Sequence, residues 1–225
     1  MRLVLLGLPG AGKGTQGELI AEKYGIPHIS SGSLIREAVA SGTELGKEAD
    51  SYIRRGELIP DELAIEMVSE RIGRSDCVQG WILDGFPRTV LQAIALDHRL
   101  AQINLDVQMA FDIRISPGEA IQRIAKRRMC RNCGAVYHLD HYRSQNGQVC
   151  DNCGGELYRR SDDTEETART RLMVYMKQTH PVLHYYSMDG RLFSIDGQRP
   201  IAEVFADVDY YLQRLADARR AGEAT

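Results

Sequence analysis

Four of the five cysteines are spaced for metal binding: they form two CxxC pairs separated by sixteen residues, namely Cys130 with Cys133 and Cys150 with Cys153. This spacing is typical of a zinc site, because four thiolates can fill a tetrahedral shell around one ion. A filled shell leaves no position for a catalytic water. The sequence therefore predicts one structural zinc ion, with His138 and His141 as alternative ligands only if a thiol were displaced.

A second chemical feature is the glycine-rich stretch GLPGAGKGT at residues 7–15. It follows an apolar run and precedes a helical pattern, and in that context glycines let successive N–H groups and a helix N-terminus point at one anion. Lys13 supplies a cation for the β- and γ-phosphates. Gly14 stands where a Mg²⁺-binding hydroxyl is usual, so the hydroxyl moves to Thr15, and we expect phosphates and water to hold most of a Mg²⁺ ion.

An aspartate and an arginine follow the apolar run WILD. Asp84 ends a predicted strand, where a carboxylate can orient the waters of a phosphate-bound Mg²⁺ ion. Gly85 and Pro87 then turn the chain, so that Arg88 emerges beside the phosphate loop. An aspartate at a strand end often only caps a helix, but the GFPR context favours a role in the site.

Nine arginines lie between residues 123 and 171. We interpret Arg131, Arg143 and Arg159 as solvated surface. The others flank the cysteine segment, and their guanidinium groups are suited to several phosphates at once. A phosphate acceptor is already ionised at neutral pH, so the transfer needs no general base, and the six histidines form no catalytic constellation.

Composition excludes a strong general attraction to polyanions: 28 basic and 31 acidic residues give the 225-residue chain a net charge of −3. The apolar run Leu3 to Leu6 is too short for a signal peptide or a membrane span. These features indicate a soluble cytoplasmic protein. Thiols at metal spacing suit a reducing compartment, and we interpret the remaining Cys77 as a buried apolar thiol.

Short apolar runs alternate with helical patterns along the chain. The runs at 2–6, 27–30, 81–84, 107–113 and 192–196 suit strands buried on both faces. Helical patterns lie between them, and Thr89 and Ser116 stand at N-cap positions. The alternation predicts an α/β fold with a doubly wound five-stranded parallel sheet and ligands at the carboxyl ends of its strands. Residues 30–60 and 129–160 interrupt this rhythm and are predicted insertions.

Together these motifs resemble the adenylate kinase family, in its long bacterial form with a four-cysteine zinc lid. The residues that carry the resemblance are GLPGAGKGT, SGSLIRE, GELIPDEL, LDGFPRT with Gln92, CRNCGAVYH through CDNCGGELYRRSDD, and IDGQRP. The resemblance runs from Met1 to about Leu215. It implies a monomeric P-loop nucleoside monophosphate kinase that interconverts MgATP and AMP with two ADP, for adenine nucleotide homeostasis and salvage, without nucleic-acid or membrane partners.

The resemblance also implies three parts and their site residues. The parts are a core at 1–29, 61–125 and 164–225, an AMP-binding insertion at 30–60 and a zinc-binding lid at 126–163. The implied ATP site is Gly10, Ala11, Gly12, Lys13, Gly14, Thr15, Arg123, Arg127, Val136, Tyr137 and Arg199. The implied AMP site is Ser31, Arg36, Glu57, Leu58, Ile59, Gly85, Phe86, Pro87, Arg88 and Gln92, with Arg160 and Arg171 reaching both nucleotides. The expected catalytic groups are Lys13, Asp84, Arg88, Arg123, Arg160 and Arg171.

Two residues depart from the family pattern. Ser31 stands where threonine is common and keeps the hydroxyl. Ser33 stands where most relatives have an aspartate that helps to orient water around Mg²⁺, so we expect Asp84 to carry more of that outer shell.

Two alternatives remain open at this level. The acceptor could be UMP, CMP or GMP, because Gln92 offers both a donor and an acceptor to a base edge. The zinc module could instead belong to a nucleotide-switched protein that binds RNA, since Arg131, Tyr137 and Arg143 interleave basic and aromatic groups. Its position inside a nucleotide-binding domain favours a stiff lid, which metal binding would stabilise because about thirty polar residues cannot form a core alone.

Overall fold

A computed structural model describes residues 1–140 and 142–223, with the side chains of Leu45 and 218–223 left undescribed. Its main sheet has five parallel strands in the order β2-β3-β1-β4-β8. In chain order these are β1 (Arg2–Leu6), β2 (His28–Ser30), β3 (Trp81–Asp84), β4 (Met109–Arg114) and β8 (Leu192–Asp196). The predicted fold class is confirmed. The fourth strand begins at Met109 rather than at residue 107.

Helices cover both faces of this sheet and connect its strands. They are α1 (Lys13–Tyr24), α2 (Ser31–Ala40), α3 (Glu44–Arg55), α4 (Asp61–Ile72), α5 (Val90–Ala101), α6 (Pro117–Lys126), α7 (Glu165–Val174), α8 (His180–Ser187) and α9 (Ile201–Glu223). The predicted caps are confirmed, since the hydroxyls of Thr89 and Ser116 accept hydrogen bonds from the backbone N–H groups of Gln92 and Glu119.

The core lies on both sides of the sheet because successive side chains of a strand alternate between its faces. In β1, Leu3 and Leu5 pack into one cluster with Ile82 and Phe111, while Val4 joins a second cluster on the opposite face. A strand segment with no solvent face has to be apolar throughout, which explains the continuous run Leu3 to Leu6.

The cysteine segment contains a small second sheet that the sequence did not predict. Strand β5 (Arg127–Cys130) pairs antiparallel with β6 (Val136–His138) and with β7 (Leu157–Tyr158). Helix α6 runs directly into β5, so this sheet is joined to the core without an intervening loop.

A single π-helical turn, Tyr175–Thr179, joins α7 to α8, and both of its end residues are buried. Such turns often occur at functional sites. None of the helices within the described ranges combines the length and the apolar character needed to cross a bilayer.

Candidate active site

The carboxyl ends of the parallel strands open into a cavity of about 440 Å³. Its walls come from the glycine loop, from the α2–α3 segment and from the cysteine-bearing segment. The structure brings nearly all residues of the two implied nucleotide sites into this lining, Glu57 to Ile59 and Gly85 to Arg88 included. Arg199 is described but does not line the cavity, and its guanidinium group pairs with Asp207.

The glycine loop is shaped by close backbone approaches. Gly7, Gly10 and Gly12 have φ values of +134°, +85° and +94°, which side-chain-bearing residues rarely adopt. A Cβ atom on Gly7 would lie 2.4 Å from the carbonyl oxygen of Ile113. The loop therefore requires glycine for its conformation and for its packing against β4.

Lys13 is the first residue of α1 and points into the loop. Its Nζ atom donates to the carbonyl oxygens of Gly7 at 2.8 Å and Leu8 at 3.0 Å. Burial is the main reason why the pKa of Lys13 falls to about 8, and the positive charges of Arg88 and Arg127 lower it further against the opposing effect of Asp84. The ammonium group thus lies where an anion would stabilise its charge.

Asp84 lies at the end of β3, beside the loop, and a Cβ atom on Gly14 would be 3.7 Å from its Oδ2 atom. Burial alone would raise the pKa of Asp84, but the nearby imidazole of His28 and the charges of Lys13 and Arg88 lower it overall. The carboxylate is therefore ionised at neutral pH. An ionised oxygen donor here fits a magnesium ion held by phosphates of a nucleotide in the loop.

His28 is a cavity residue that sequence reasoning missed, because the six histidines form no catalytic pattern along the chain. Its Nε2 atom lies 3.5 Å from Asp84 Oδ2. A Cβ atom on Gly17 would come within 2.5 Å of the imidazole, so this glycine makes room for the ring. The two-residue period of a strand places His28 and Ser30 on one face of β2, but the register of Ser30 with Asp84 is seen only in the structure.

Arg88 is held by the turn that precedes it. Its Nε atom donates to the carbonyl of Gly85 at 2.6 Å, and its Nη2 atom lies 3.4 Å from the hydroxyl of Ser31. Ser31 itself donates to the same carbonyl at 2.6 Å. Burial is the main cause of a lowered pKa of Arg88, while Asp84 opposes that effect. The guanidinium group remains charged because arginine starts from so high a value.

Two adjacent carboxylates position Arg127 and Arg171, which flank the cysteines in the chain. Asp163 is fully buried and accepts from Arg127 at 2.9 and 2.5 Å. Arg171 pairs with Asp162 and lies 3.5 Å from Asp163. Both aspartates lie in the motif CDNCGGELYRRSDD, whose sequence alone predicts no role for them. A bidentate contact fixes the plane of a guanidinium group, so Arg127 is oriented before any ligand arrives.

Arg160 and Arg123 complete the ring of cations around the cavity. Burial, with the charges of Arg127 and Arg36, lowers the pKa of Arg160 to about 10. Its Nε atom is buried and has no acceptor within the described part of the chain. Arg123 donates to Glu119 at 2.7 Å and to the carbonyl of Gly197 at 3.0 Å. A buried donor without an acceptor among several cations is suited to an anionic ligand.

The four cysteines converge as their spacing predicts. Their Sγ atoms all lie within 4.8 Å of one another, with Cys130 and Cys153 at 3.4 Å and Cys133 and Cys150 at 3.5 Å. A tetrahedral ion with metal–sulfur bonds of about 2.3 Å needs sulfur atoms about 3.8 Å apart. The cluster could therefore hold one metal ion.

His138, an alternative metal ligand, and Tyr137, a predicted ATP-site residue, lie differently with respect to the four cysteines. His138 is not part of the cluster in the described ranges, and His141 lies outside the described residues. Tyr137 turns its hydroxyl toward the cluster, 3.4 Å from Cys150 Sγ. Its ring thus belongs to the small core of this segment.

A glycine loop at the head of a parallel sheet, a strand-end aspartate and converging arginines define a P-loop kinase of the class that phosphorylates nucleoside monophosphates. A model of the family described as adenylate kinase matches residues 5–191. The chain belongs to the adenylate kinase family.

Individual relatives extend this similarity over nearly the whole chain. An adenylate kinase of Archaeoglobus fulgidus is 49% identical over 215 residues, which cover 96% of this chain and 99% of that protein. An adenylate kinase of Bacillus licheniformis is 52% identical over 208 residues, or 92% of this chain and 96% of that protein. The similarity therefore includes the cysteine-bearing segment as well as the phosphate loop.

The lowered pKa of Lys13 predicts proton uptake on nucleotide binding. With a pKa of about 8, roughly three quarters of the Lys13 side chains are neutral at pH 8.5, and phosphate contacts will raise that pKa. MgATP binding should therefore take up about 0.7 proton at pH 8.5 and about 0.1 at pH 7. Calorimetry in buffers of different ionisation enthalpy measures this number. Lys13→Arg is the matched control, because its charge does not titrate there, and equal uptake by both proteins would contradict the assignment.

Proposed function

We propose that this protein transfers the γ-phosphoryl group of MgATP to AMP, reversibly, in a single cavity that holds both nucleotides. The observation that carries this proposal is that cations from separate parts of the chain line one cavity: Lys13 of the glycine loop, Arg36 of α2, Arg88 after β3, and Arg160 and Arg171 from farther along the chain. So many cations suit the phosphates of two nucleotides better than those of one.

The proposed mechanism is positioning together with charge stabilisation. The loop N–H groups and Lys13 hold the β- and γ-phosphates of ATP, with Arg123 and Arg127 on the same nucleotide. Arg88 and Arg36 hold the phosphate of AMP, whose oxygen is already ionised at neutral pH and attacks in line with the leaving ADP oxygen. Arg160 and Arg171 neutralise the charge that spreads over the transferred group.

Magnesium, bound through the ATP phosphates, would neutralise charge on the β- and γ-oxygens, and Asp84 would orient its waters. Ser33 offers a hydroxyl that already accepts from Arg36 Nη2 at 3.1 Å. Of these two residues only Asp84 carries a charge suited to the metal. This supports the expectation that Asp84 carries more of the outer shell.

We further propose that residues 126–163 form a zinc-stiffened lid over the core at 1–29, 61–125 and 164–225, and that 30–60 form the AMP-binding insertion. Four thiolates would hold zinc without an open position, so the ion supports structure only. A stiff lid that closes as one piece would keep water from the γ-phosphate and so prevent hydrolysis.

The proposal includes a monomeric cytoplasmic enzyme that acts on ATP, ADP and AMP without a nucleic-acid or membrane partner. Two ion pairs count against RNA binding by the zinc module. Arg131 contacts Glu156 at 2.9 Å and stacks on the ring of Tyr158, and Lys126 contacts Asp140 at 2.5 Å. These cations are already paired within the module itself.

The acceptor is tested by an assay across AMP, UMP, CMP and GMP with MgATP as donor. We expect AMP to be the preferred acceptor, and purified protein with Mg²⁺ should equilibrate ADP with ATP and AMP. Equal rates with UMP would rule out adenine selectivity. Slow, acceptor-independent hydrolysis with salt-sensitive RNA binding would favour the nucleotide-switched alternative.

Arg88→Ala should reduce turnover on the order of 10³-fold, because it removes a cation that stabilises the transition state. The matched control is Arg99→Ala on the helix that follows Arg88, since Arg99 is exposed. That control should keep normal turnover. Steady-state kinetics with both nucleotides varied provide the measurement, and a nearly normal rate for Arg88→Ala would remove this residue from the site.

Cys150→Ser should abolish stoichiometric zinc and lower the unfolding temperature of the lid, because a four-ligand site supplies the folding free energy of so small a module. Turnover well below that temperature should change much less. Cys77→Ser is the control, since Cys77 lies outside the cluster. Metal analysis and thermal melting with and without chelator measure both effects, and an unaltered melt for Cys150→Ser would contradict a structural metal.

A further inference from the structure

The side chain of Gln92, 2% exposed, is hydrogen-bonded at both ends of its amide. Its Oε1 atom accepts from the backbone N–H of Arg88 at 2.7 Å. Its Nε2 atom donates to Oδ1 of Asp61 at 2.7 Å. The other carboxylate oxygen of Asp61 accepts from the hydroxyl of Thr89 at 2.9 Å. Asp61, at the start of α4, thus connects that helix to the first turn of α5.

These partners determine which way the amide faces. A backbone N–H group can only donate and an ionised carboxylate can only accept. If the amide of Gln92 were reversed, its NH2 group would face the N–H of Arg88 and its oxygen would face the carboxylate of Asp61, and neither pair could form a hydrogen bond. The oxygen and nitrogen of an amide are so alike in size that hydrogen-bond partners alone decide the orientation. One N–H group and one oxygen lone pair of Gln92 therefore remain available at fixed places.

Helix capping does not account for the contacts of Asp61. An aspartate in the first turn of a helix usually stabilises the helix dipole or bonds to its free N–H groups. Helix α4 begins after Pro60 without a side-chain cap, and the two carboxylate oxygens of Asp61 bind residues of α5 instead. Glu62, the next residue, also lies in the first turn and is exposed to solvent.

A fixed amide distinguishes two kinds of purine. At position 6 adenine carries an amino donor beside the ring acceptor N1, whereas a 6-oxopurine carries an acceptor beside an N1–H donor. A freely turning amide can satisfy either edge by rotating, but a fixed amide satisfies only one. We propose that Asp61 is the positioning residue that makes the acceptor site selective for adenine over 6-oxopurines. This inference rests on the proposed function, in which Gln92 forms hydrogen bonds with the base of AMP.

The test is Asp61→Asn, with AMP and IMP as acceptors. Asparagine keeps the shape of the side chain but can both donate and accept, so position 61 no longer opposes the reversed amide of Gln92 and only the N–H of Arg88 still does. We expect the ratio of kcat/KM for AMP to that for IMP to fall on the order of tenfold or more. KM for AMP should rise more than kcat falls, because the lost contact binds the base and not the transferred group.

The matched control is Glu62→Gln, which removes one charge from the same helical turn and should leave the ratio unchanged. Combining Asp61→Asn with Gln92→Ala gives a second check, because Asp61 should have no further effect on selectivity once the amide is gone. An unchanged AMP-to-IMP ratio in Asp61→Asn would overturn the inference, and so would an effect that persists without Gln92.

A measurement on the unmodified protein covers the case in which Asp61→Asn does not fold. One Nε2 proton of Gln92, assigned in a ¹⁵N-labelled sample, should be protected from solvent exchange by the contact with Asp61, and two unprotected protons would overturn the inference. Failure of the unmodified enzyme to equilibrate ADP would instead remove the proposed function. The two ideas can thus fail separately.

Discussion

The structure depends on crowding positive charges into one desolvated cavity. Lys13, Arg88, Arg36 and Arg160 all have lowered pKa values, in each case chiefly through burial and in part through neighbouring cations. The folded protein therefore holds these charges at a cost that phosphates remove on binding. For Lys13 the direction in which pH changes the free energy of unfolding is definite. The unfolded chain binds its proton more tightly, so the cost is present below pH 8 and fades as the pH rises toward the ordinary lysine range.

Fixed carboxylates stabilise these closely spaced positive charges and still leave the cavity open to a ligand. Asp163 accepts two hydrogen bonds from Arg127 and lies near Arg171, and Asp84 offsets the charges of Lys13 and Arg88. Arg127 uses its Nε and Nη2 atoms for Asp163, so the N–H groups of its Nη1 atom remain for a ligand. Such preorganisation is what electrostatic catalysis requires, since charges that are already oriented need not reorganise during transfer.

Sequence alone was sufficient to predict those elements whose structure depends on residues close together in the chain. A strand buried on both faces has to be apolar, a loop with positive φ angles requires glycine, and a tetrahedral thiolate site requires two close pairs of cysteines. The five strands, the phosphate loop and the cysteine cluster followed from these rules. Assignment of single residues to ATP or AMP came from family resemblance and stays a prediction.

The features that sequence could not give are contacts between residues far apart in the chain. His28 and Asp84 meet only because β2 lies beside β3, and Asp61 meets Gln92 only because α4 packs beside α5. The pairing of β5 with β7 joins residues on either side of the long segment between the cysteine pairs, and no short pattern encodes it. An aspartate after a proline and a histidine in a short strand look ordinary in isolation. Their roles depend on the residues that the tertiary fold places in contact with them. Contacts that orient polar groups in a site are therefore harder to predict from sequence than the phosphate-loop motif itself.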